Sequence, residues 1–304
     1  MTALCEIPEP FKRRVAAASA NGAAWLDALP CLIAECEARW KIKVEAPFKL
    51  SFNYVAPALT TKGQAFVLKL GVPGPELSSE IQALRLYAGE AAARLLDSDE
   101  DHGTMLLERI EPGDTLASLG DDERATRAAA QVMRELWKPL PPDTRFPTAV
   151  EWAGGLAKLR IRLNGGTGPL PARLVDQAEG LFRDLLSSSE PSMLLHGDLH
   201  HFNILAARRQ PWLAIDPKGL AGEPAYDVGA LLRNPEARLY TDPHVQQRRV
   251  DVLHEELDLE KDRILGWGMA QAVLSAWWSL EDSGTEWQSQ CACAEVLSGI
   301  LPRQ

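Results

Sequence analysis

The spacing of apolar residues changes from helical to alternating within the first third of the chain. Over residues 11–40, apolar positions recur every three or four residues, which predicts one or two helices that break near Asn21-Gly22 and Pro30. Beyond them, apolar and polar positions alternate, and a turn at residues 61–64 precedes the strand-like segment AFVLKL. We therefore expect an N-terminal helical cap followed by a small antiparallel sheet with a hairpin.

Helical spacing returns after the sheet and dominates the rest of the chain. Residues 76–95 predict a helix, and residues 104–110 predict a short strand that ends before Pro112-Gly113. Helical patterns follow, except at residues 191–220, where short apolar runs separated by polar loops predict strands. The predicted fold class is α+β, with two lobes and a ligand-binding cleft between them. Its predicted parts are a helical extension at 1–40, a sheet-bearing N-lobe at 41–110 and a larger, mainly helical C-lobe at 111–304.

The composition is that of a folded, acidic protein. With 304 residues, 46% of them hydrophobic and 24% charged, the chain can form a substantial core and is neither disordered nor collagen-like. Its formal charge of -10 disfavours nucleic acid and anionic membrane surfaces as partners and favours a small cationic ligand. No apolar run reaches the ~18 residues of a membrane span. Five cysteines without CxxC spacing, and no secretory segment, are typical of a cytoplasmic protein with reduced thiols.

Chemically capable side chains are concentrated in the segment HGDLHHFN at residues 196–203. Phosphoryl transfer from a nucleotide needs an acceptor for the hydroxyl proton, oxygen ligands for Mg²⁺ and a cation on the phosphates. Asp198 and Asn203 reproduce the Asp-to-Asn spacing of the kinase catalytic loop, which predicts Asp198 as the proton acceptor and Asn203 as a metal ligand. Asp216 directly follows the apolar segment WLAI and is the second predicted metal ligand.

A phosphate-binding cation is predicted in the N-lobe. Lys69 lies at the end of AFVLKL, from where its ammonium group is predicted to reach the α- and β-phosphates. Glu80 lies on the helix that follows and is predicted to pair with Lys69 and fix its position.

These segments resemble the aminoglycoside phosphotransferase branch of the kinase-like superfamily. The resemblance covers residues 45–300 and is carried by LLHGDLHHFNIL, WLAIDPKGLAGEPAYDVGALLRNP and LDLEKDRILGWGMAQAVLSAWW, and more weakly by QAFVLKL with SSEIQALRLY. It is strongest toward streptomycin 6-phosphotransferases and the related hydroxyurea phosphotransferases. The resemblance implies a two-lobed protein-kinase-like fold and transfer of the ATP γ-phosphate, with Mg²⁺, to a hydroxyl of a small molecule.

Supporting roles follow for residues around this motif. The resemblance implies that Asp227 braces the catalytic loop and that backbone groups of Glu108 and Ile110 meet adenine at a hinge. His196 is expected to hydrogen-bond the loop backbone rather than to move protons, since Asp198 already provides the acceptor. The chain departs from the family pattern in lacking a GxGxxG motif, where SFNYVAPAL stands instead, and in carrying Phe202 where relatives often have a charged residue.

The acceptor pocket has two interpretations. Residues 241–304 carry 11 acidic and 5 basic residues, a net charge of -6, which favours a guanidinium or ammonium acceptor. In LSAWWSLED, the tryptophans precede two acids by one helical turn, so an indole and a carboxylate can share a helix face. The alternative is core tryptophans beside solvated acids. The candidate pocket residues are Trp277, Trp278, Glu281 and Asp282.

The predicted function is ATP-dependent O-phosphotransfer of the streptomycin 6-phosphotransferase type. A hydroxyurea phosphotransferase, or a housekeeping kinase for another small alcohol or sugar, shares the same phosphate chemistry and differs only in its acceptor. A non-catalytic nucleotide-binding module is a further alternative. A zinc hydrolase is considered because His196, Asp198, His200 and His201 are crowded together, although zinc does not account for Asn203. The preference between ATP and GTP, the oligomeric state and a role in resistance stay open.

Overall fold

The computed structural model describes residues 7–189, 192–282, 285 and 287–302, with the backbone alone at 282. The chain divides into two compact units, Met1–Glu111 and Pro112–Gln304. The first unit contains, in chain order, α1 (Glu9–Ala18), α2 (Gly22–Trp40), β1 (Ile42–Val44), β2 (Tyr54–Thr60), β3 (Ala65–Leu70), α3 (Pro75–Tyr87), β4 (Leu95–Asp99) and β5 (Thr104–Glu108).

The first unit is built on a five-stranded antiparallel sheet. Its strand order is β1-β2-β3-β5-β4, so β3 is the central strand. Lys69 on β3 lies opposite Val55 on β2 and Met105 on β5. A residue at the centre of the sheet is held by hydrogen-bonded neighbours on both sides, which fixes the position from which the Lys69 side chain leaves the backbone.

The two N-terminal helices pack into the core of this unit. Phe11 and Val15 on α1, and Leu29 and Ile33 on α2, are buried in one hydrophobic cluster with Leu68 and other sheet residues. The apolar positions follow helical spacing because one face of each helix is covered by this cluster. The predicted N-terminal extension therefore shares a hydrophobic core with the sheet.

Two predicted boundaries in this unit are wrong. Pro30 does not break the second helix, which runs unbroken from Gly22 to Trp40, because burial of its apolar face offsets the hydrogen bond that proline cannot make. The helix predicted to reach residue 95 ends at Tyr87, where Ala88 adopts a left-handed conformation with φ 50°. The alanine-rich segment after it is not helical, and β4, which pairs with β5, begins at Leu95.

The second unit is mainly helical, with two small three-stranded sheets. Its elements are, in chain order, β6 (Pro112–Thr115), α4 (Asp122–Leu136), β7 (Lys138–Pro139), α5 (Ala149–Arg162), α6 (Ala172–Ser187), β8 (Met193–Leu195), β9 (Ile204–Ala207), β10 (Trp212–Ala214), β11 (Leu220–Gly222), α7 (Val228–Leu232), α8 (Ala237–Tyr240), α9 (Pro243–Leu257), α10 (Lys261–Asp282) and α11 (Trp287–Ile300). Two short 3₁₀ helices lie at Leu116–Leu119 and Pro224–Asp227. The strand orders of the two sheets are β10-β9-β6 and β11-β8-β7.

Helix α10 forms the centre of the second unit. It packs against α6, α7 and α11, and Trp267, Met269 and Val273 on it are fully buried. A helix that is apolar over most of its circumference belongs in the core of a large unit, which explains the broad apolar pattern of this segment. Among the residues described, no helix combines the length and apolar character that a bilayer span requires.

Candidate active site

The HGDLHHFN segment connects two different sheets. It leaves β8, whose partners are β11 and β7, and enters β9, whose partners are β10 and β6. Leu195 before the loop and Ile204 after it are completely buried, so both ends of the loop are anchored in the core. The polar residues between them therefore lie on a short connection whose two ends cannot move independently of the sheets.

Asp227 fixes the start of this loop by accepting hydrogen bonds from its backbone. Its carboxylate accepts hydrogen bonds from the backbone N–H groups of His196 (3.0 Å) and Gly197 (2.7 Å) and from the indole N–H of Trp137 (3.2 Å). Burial raises the pKa of Asp227 above its ordinary value, and His196 and these N–H donors offset only part of that rise. All three of these hydrogen-bond partners are donors, an arrangement that suits an ionised carboxylate with a structural role.

His196 connects the loop to the end of β10. The N–H of Asp198 donates to its Nδ1 at 3.2 Å, so the proton of a neutral ring lies on Nε2, which donates to the carbonyl of Ile215 at 2.8 Å. The side chain is fully buried, and burial lowers the pKa of His196. Because backbone groups use both nitrogens, the ring orients the loop, and no nitrogen is left to carry a proton to substrate.

Gly197 is required by its conformation and by its neighbours. Its φ of 84° is in the left-handed region, and a Cβ there would lie 3.2 Å from Lys218 Cβ and 3.2 Å from Trp152 Cη2. The loop thus passes close to α5, which carries Trp152, and to the segment after β10.

The carboxylate of Asp198 is half-buried. Arg233 approaches its Oδ1 at 3.5 Å, and His200 approaches its Oδ2 at 3.8 Å. Burial raises the pKa of Asp198, but His200, Arg233 and Lys218 lower it more, so the pKa of Asp198 is below its ordinary value. An ionised carboxylate in this position can orient a hydroxyl group and accept its proton.

The carboxamide of Asn203 is oriented by the same loop. Its Nδ2 donates to the carbonyl of Asp198 at 3.0 Å, which leaves Oδ1 as the atom suited to a metal. The backbone carbonyl of Asn203 accepts from Ile215 at 2.9 Å, and Lys218 N–H donates to the His196 carbonyl at 2.8 Å. These two bonds hold the chain on either side of Asp216.

Asp216 is exposed and has a left-handed backbone conformation, with φ 57°. A non-glycine residue is held there only when its surroundings determine the conformation, and the bonds at Ile215 and Lys218 do so. Asn203 and Asp216 supply a carbonyl and a carboxylate oxygen, the donor types that Mg²⁺ accepts together with phosphate oxygens and water. The residues present therefore fit this metal.

The zinc alternative has no such site. Within the described part of the chain, no three His, Cys, Asp or Glu side chains are grouped so that they could hold a metal ion. Closed structural zinc sites use four ligands and catalytic ones at least three, so the crowding of histidines in the sequence does not become a zinc centre.

In the first unit, Lys69 and Glu80 form a buried ion pair. Lys69 Nζ lies 2.5 Å from Glu80 Oε1, and Lys69 is only 2% exposed. The pair joins the central strand β3 to α3. Since a buried ammonium group needs a compensating charge, Glu80 both stabilises the cation and restricts the direction in which it points.

The predicted adenine-binding segment lies at the end of β5. Glu108 N–H donates to the Arg94 carbonyl at 3.0 Å, and a Glu108 carboxylate oxygen accepts from Arg94 N–H at 3.1 Å. Ile110 is buried, and Arg109 packs its guanidinium over the ring of Phe48 at 4.8 Å. The Glu108 backbone N–H is therefore occupied within the unit, and Ile110 is the better placed of the two predicted residues.

The four candidate acceptor-pocket residues separate on α10. Trp277 is buried, and its ring lies 5.9 Å from the guanidinium carbon of Arg162, which also pairs with Glu281 at 2.9 Å. Trp278 is half-buried on a different face of the helix. The side chain of Asp282 lies outside the described residues. The indole and carboxylate that share a face thus contact a guanidinium group of the protein itself.

Comparison with known proteins places the chain in a family. Residues 39–283 match the family model described as aminoglycoside/hydroxyurea antibiotic resistance kinase. The chain belongs to this family. Streptomycin 6-kinase of Streptomyces griseus is 36% identical over 297 residues, covering 91% of this chain and 92% of the relative. Hydroxyurea phosphotransferase of Kitasatospora aureofaciens is 34% identical over 307 residues, covering 98% of this chain and 87% of the relative.

Solved structures confirm the predicted kinase-like fold. Choline kinase LicA from Streptococcus pneumoniae matches with a TM-score of 0.64 at 17% identity, covering 89% of this chain and 99% of that one. A thermostable mutant of aminoglycoside phosphotransferase APH(4)-Ia, in a ternary complex with ADP and hygromycin B, matches with a TM-score of 0.63 at 15% identity, covering 91% and 100%. The resemblance inferred from HGDLHHFN and its companion segments is confirmed, and the chain is a phosphotransferase.

Three residues beside the kinase loop were missed by sequence reasoning. Arg233 contacts Asp198 and donates to Gln271 Oε1 at 3.2 Å, while Trp152 lies against Gly197. The only available signal for Arg233 was a basic residue at the end of a short apolar helix that begins just after Asp227. Trp152 and Gln271 reach the site from α5 and α10, so no local spacing could have indicated them.

Proposed function

We propose that this protein is an ATP-dependent O-phosphotransferase of the streptomycin 6-kinase type, which transfers the γ-phosphoryl group to a hydroxyl of its acceptor. The observation that carries the proposal is the hydrogen-bonded loop that orients Asp198, Asn203 and Asp216 within one unit. A hydrolase or a binding module does not require this combination of a half-buried carboxylate, an oriented amide and a strand-end aspartate.

Asp198 has the role of base. Its carboxylate orients the acceptor hydroxyl and takes its proton as the oxygen forms a bond to phosphorus and the bond between phosphorus and the ADP oxygen breaks. The low pKa of Asp198 keeps the carboxylate ionised before the reaction. Asn203 and Asp216 are the residues that hold Mg²⁺, which when bound neutralises charge on the phosphate oxygens.

The first unit supplies the other contacts to the nucleotide. Lys69 neutralises the α- and β-phosphates, and Glu80 keeps its ammonium group in place through their 2.5 Å contact. Backbone groups near Glu108 and Ile110 hold adenine in this proposal, with Ile110 contributing an apolar surface. Most of the rate enhancement then comes from positioning and charge neutralisation rather than from covalent chemistry.

The acceptor is proposed from the relatives. Two streptomycin 6-kinases, of Streptomyces griseus and Streptomyces glaucescens, are each 36% identical to this chain, which supports streptomycin as the first acceptor to test. Hydroxyurea is the second candidate, because the hydroxyurea phosphotransferase matches 98% of this chain. In this proposal, the same catalytic loop phosphorylates either acceptor. The two acceptors differ in the protein surface that would bind them.

An acceptor screen tests this proposal. Purified protein is incubated with Mg²⁺ and ATP and with streptomycin, hydroxyurea, or one of several sugars and amino alcohols, and phosphorylated products are identified by mass spectrometry. We expect phosphorylated streptomycin with the wild type and none with Asp198→Asn or after removal of Mg²⁺. Transfer only to a compound other than streptomycin would contradict the assignment of streptomycin as the acceptor. Nucleotide binding without transfer to any compound would overturn the proposal and favour a binding module.

A further inference from the structure

Two half-buried tryptophans meet beside the catalytic loop. Trp152 on α5 and Trp278 on α10 have ring centroids 5.7 Å apart and an interplanar angle of 89°. This edge-to-face arrangement fixes both rings relative to each other. A capping box between Thr148 and Glu151 fixes the first turn of α5, where Trp152 lies.

Trp152 connects this pair to the reacting residues. Its Cη2 atom lies where a side chain at Gly197 would meet it, at 3.2 Å, and Gly197 directly precedes Asp198. The ring also contacts Tyr226, with centroids 6.1 Å apart, and Tyr226 immediately precedes the bracing residue Asp227. One indole of the pair therefore lies against the loop that positions the base.

The exposure of these two rings distinguishes them from core tryptophans. Trp267 is completely buried and donates its indole N–H to Glu223, and Trp277 is 3% exposed. Trp152 and Trp278 each retain surface that faces solvent, although both belong to helices with well-packed apolar faces. Partly exposed aromatic pairs that are held rigid beside a catalytic group are suited to bind a ligand.

The neighbouring residue Trp277 shows which chemistry an indole on this helix can bind. Its ring and the Glu281 carboxylate hold the guanidinium group of Arg162, at 5.9 Å and 2.9 Å. That face is consequently filled from within the protein. The face of Trp278 has an indole partner instead of a cation, and the C-terminal segment 241–304 has a net charge of -6, which attracts positive ligands.

We propose that Trp152 and Trp278 form the acceptor-binding wall of the site, against which a planar cationic group of the acceptor, of the guanidinium type, packs while a neighbouring hydroxyl reaches Asp198. This inference rests on the proposed phosphotransferase function and specifies its substrate class. Trp278 supplies the stacking surface, and Trp152 both extends it and holds it against Gly197. Of the residues that the sequence pattern indicated, the wall includes Trp278 but neither Trp277 nor Glu281.

Steady-state kinetics of tryptophan variants test the wall. Trp278→Leu removes the indole and Trp278→Phe keeps a smaller aromatic ring, which guards against a folding defect in the first variant. With streptomycin, which carries guanidinium groups, we expect the KM of the acceptor to rise about tenfold in Trp278→Leu and less in Trp278→Phe. The KM for ATP is expected to stay unchanged. Trp212→Leu, a half-buried tryptophan on β10, is the matched control and should alter neither KM.

Three outcomes decide the inference. An acceptor KM that stays at the wild-type value in a folded Trp278→Leu variant would overturn it. An equal or larger rise in Trp277→Phe would assign acceptor binding to the Arg162 face and would also overturn it. A guanidinium-free acceptor whose KM rises as much as that of streptomycin would contradict the substrate class. Failure of the wild type to phosphorylate any acceptor would refute the proposed function itself, which the wild-type assay detects before any variant is measured.

Discussion

The two units of this kinase hold their candidate site residues by different means. In the first, Lys69 and Glu80 are both buried, and each faces the opposite charge at 2.5 Å. In the second, Asp198 is half-buried and Asp216 is exposed, and hydrogen bonds to the backbone beside them hold the chain in place. One arrangement fixes a cation through a partner side chain. The other fixes carboxylates through the main chain and leaves their oxygens accessible to ligands.

This difference has a consequence for mutations. Changing Asp216, which is exposed and lies on a backbone held by hydrogen bonds, should remove activity at a smaller cost in stability. Changing a member of the buried pair should affect both, because a charge inside the protein loses its compensation. The following predictions test this distinction in order of decreasing effect.

Asp216→Ala should have the largest effect on activity. We expect kcat to fall by about a thousandfold, the loss typical of removing a group that stabilises transition-state charge. Stability should fall by about 1 kcal/mol, because Asp216 is exposed but alanine tolerates its left-handed backbone conformation less well than aspartate does. Turnover at saturating Mg²⁺ and urea unfolding measure the two quantities. An Asp216→Ala protein with full turnover would show that Asp216 is no metal ligand.

Glu80→Gln should lower both stability and activity. It removes the carboxylate charge that lies 2.5 Å from the buried Lys69 ammonium group, and we expect the free energy of unfolding to fall by about 3 kcal/mol. The double variant Lys69→Met, Glu80→Leu replaces the pair by apolar side chains and should recover most of this stability while remaining inactive. A double variant less stable than Glu80→Gln would contradict the view that the pair is kept for phosphate binding.

Asp227→Asn should destabilise the catalytic loop while leaving the proposed Mg²⁺ ligands Asn203 and Asp216 unaltered. An amide has one acceptor oxygen in place of two. If the amide nitrogen takes the place of Oδ1, Gly197 N–H loses its acceptor, and if it takes the place of Oδ2, both His196 N–H and the Trp137 indole N–H lose theirs, at a cost of about 1–3 kcal/mol for each. We expect kcat to fall as well, because Asp198 is displaced. Trp137→Phe removes a single donor and leaves the loop contacts, so it should cost less in thermal unfolding. Equal losses in the two variants would argue against a bracing role.

His196 should produce a dependence of stability on pH. Burial lowers its pKa below the ordinary histidine value, so between these two values the unfolded chain binds a proton that the folded protein does not. The free energy of unfolding should therefore fall as pH decreases below about 6.5, with a contribution of up to ~1.4 kcal/mol per pH unit from this residue. His196→Asn should flatten the dependence measured by denaturant unfolding at pH 7.5 and 5.5. An unchanged slope would show that His196 is protonated in the folded protein.

Local patterns predicted the parts of the site that lie close together along the chain. Asp198 and Asn203 share one loop, so their spacing alone indicated the chemistry. The Lys69–Glu80 contact could be predicted from the sequence, because a central strand followed by a helix brings the end of the strand near one face of the helix. These relations depend on few residues and are insensitive to the rest of the fold.

Tertiary packing determined the features that sequence reasoning missed. Arg233 reaches Asp198 from α7, and Trp152 reaches Gly197 from α5. The helix ends at Tyr87, and Ala88 after it has a left-handed conformation, although the alanines that follow favour a longer helix. Further along the chain, β4 pairs with β5. The orientation of α10 about its own axis determines that Trp277 faces Arg162 and Trp278 faces Trp152. The two tryptophans are adjacent in sequence, so the sequence alone could not show which neighbour each one contacts.

A single-turnover experiment tests whether Asp198 is the base in transfer of the γ-phosphoryl group to streptomycin. Excess protein is mixed with Mg²⁺, streptomycin and ATP labelled in its γ-phosphoryl group, and the label is followed for the wild type and for Asp198→Asn. We predict that label moves to a streptomycin hydroxyl in the wild type, and that Asp198→Asn binds the nucleotide but leaves the label on ATP. Equal transfer by both proteins, or label released only as inorganic phosphate by the wild type, would contradict this prediction.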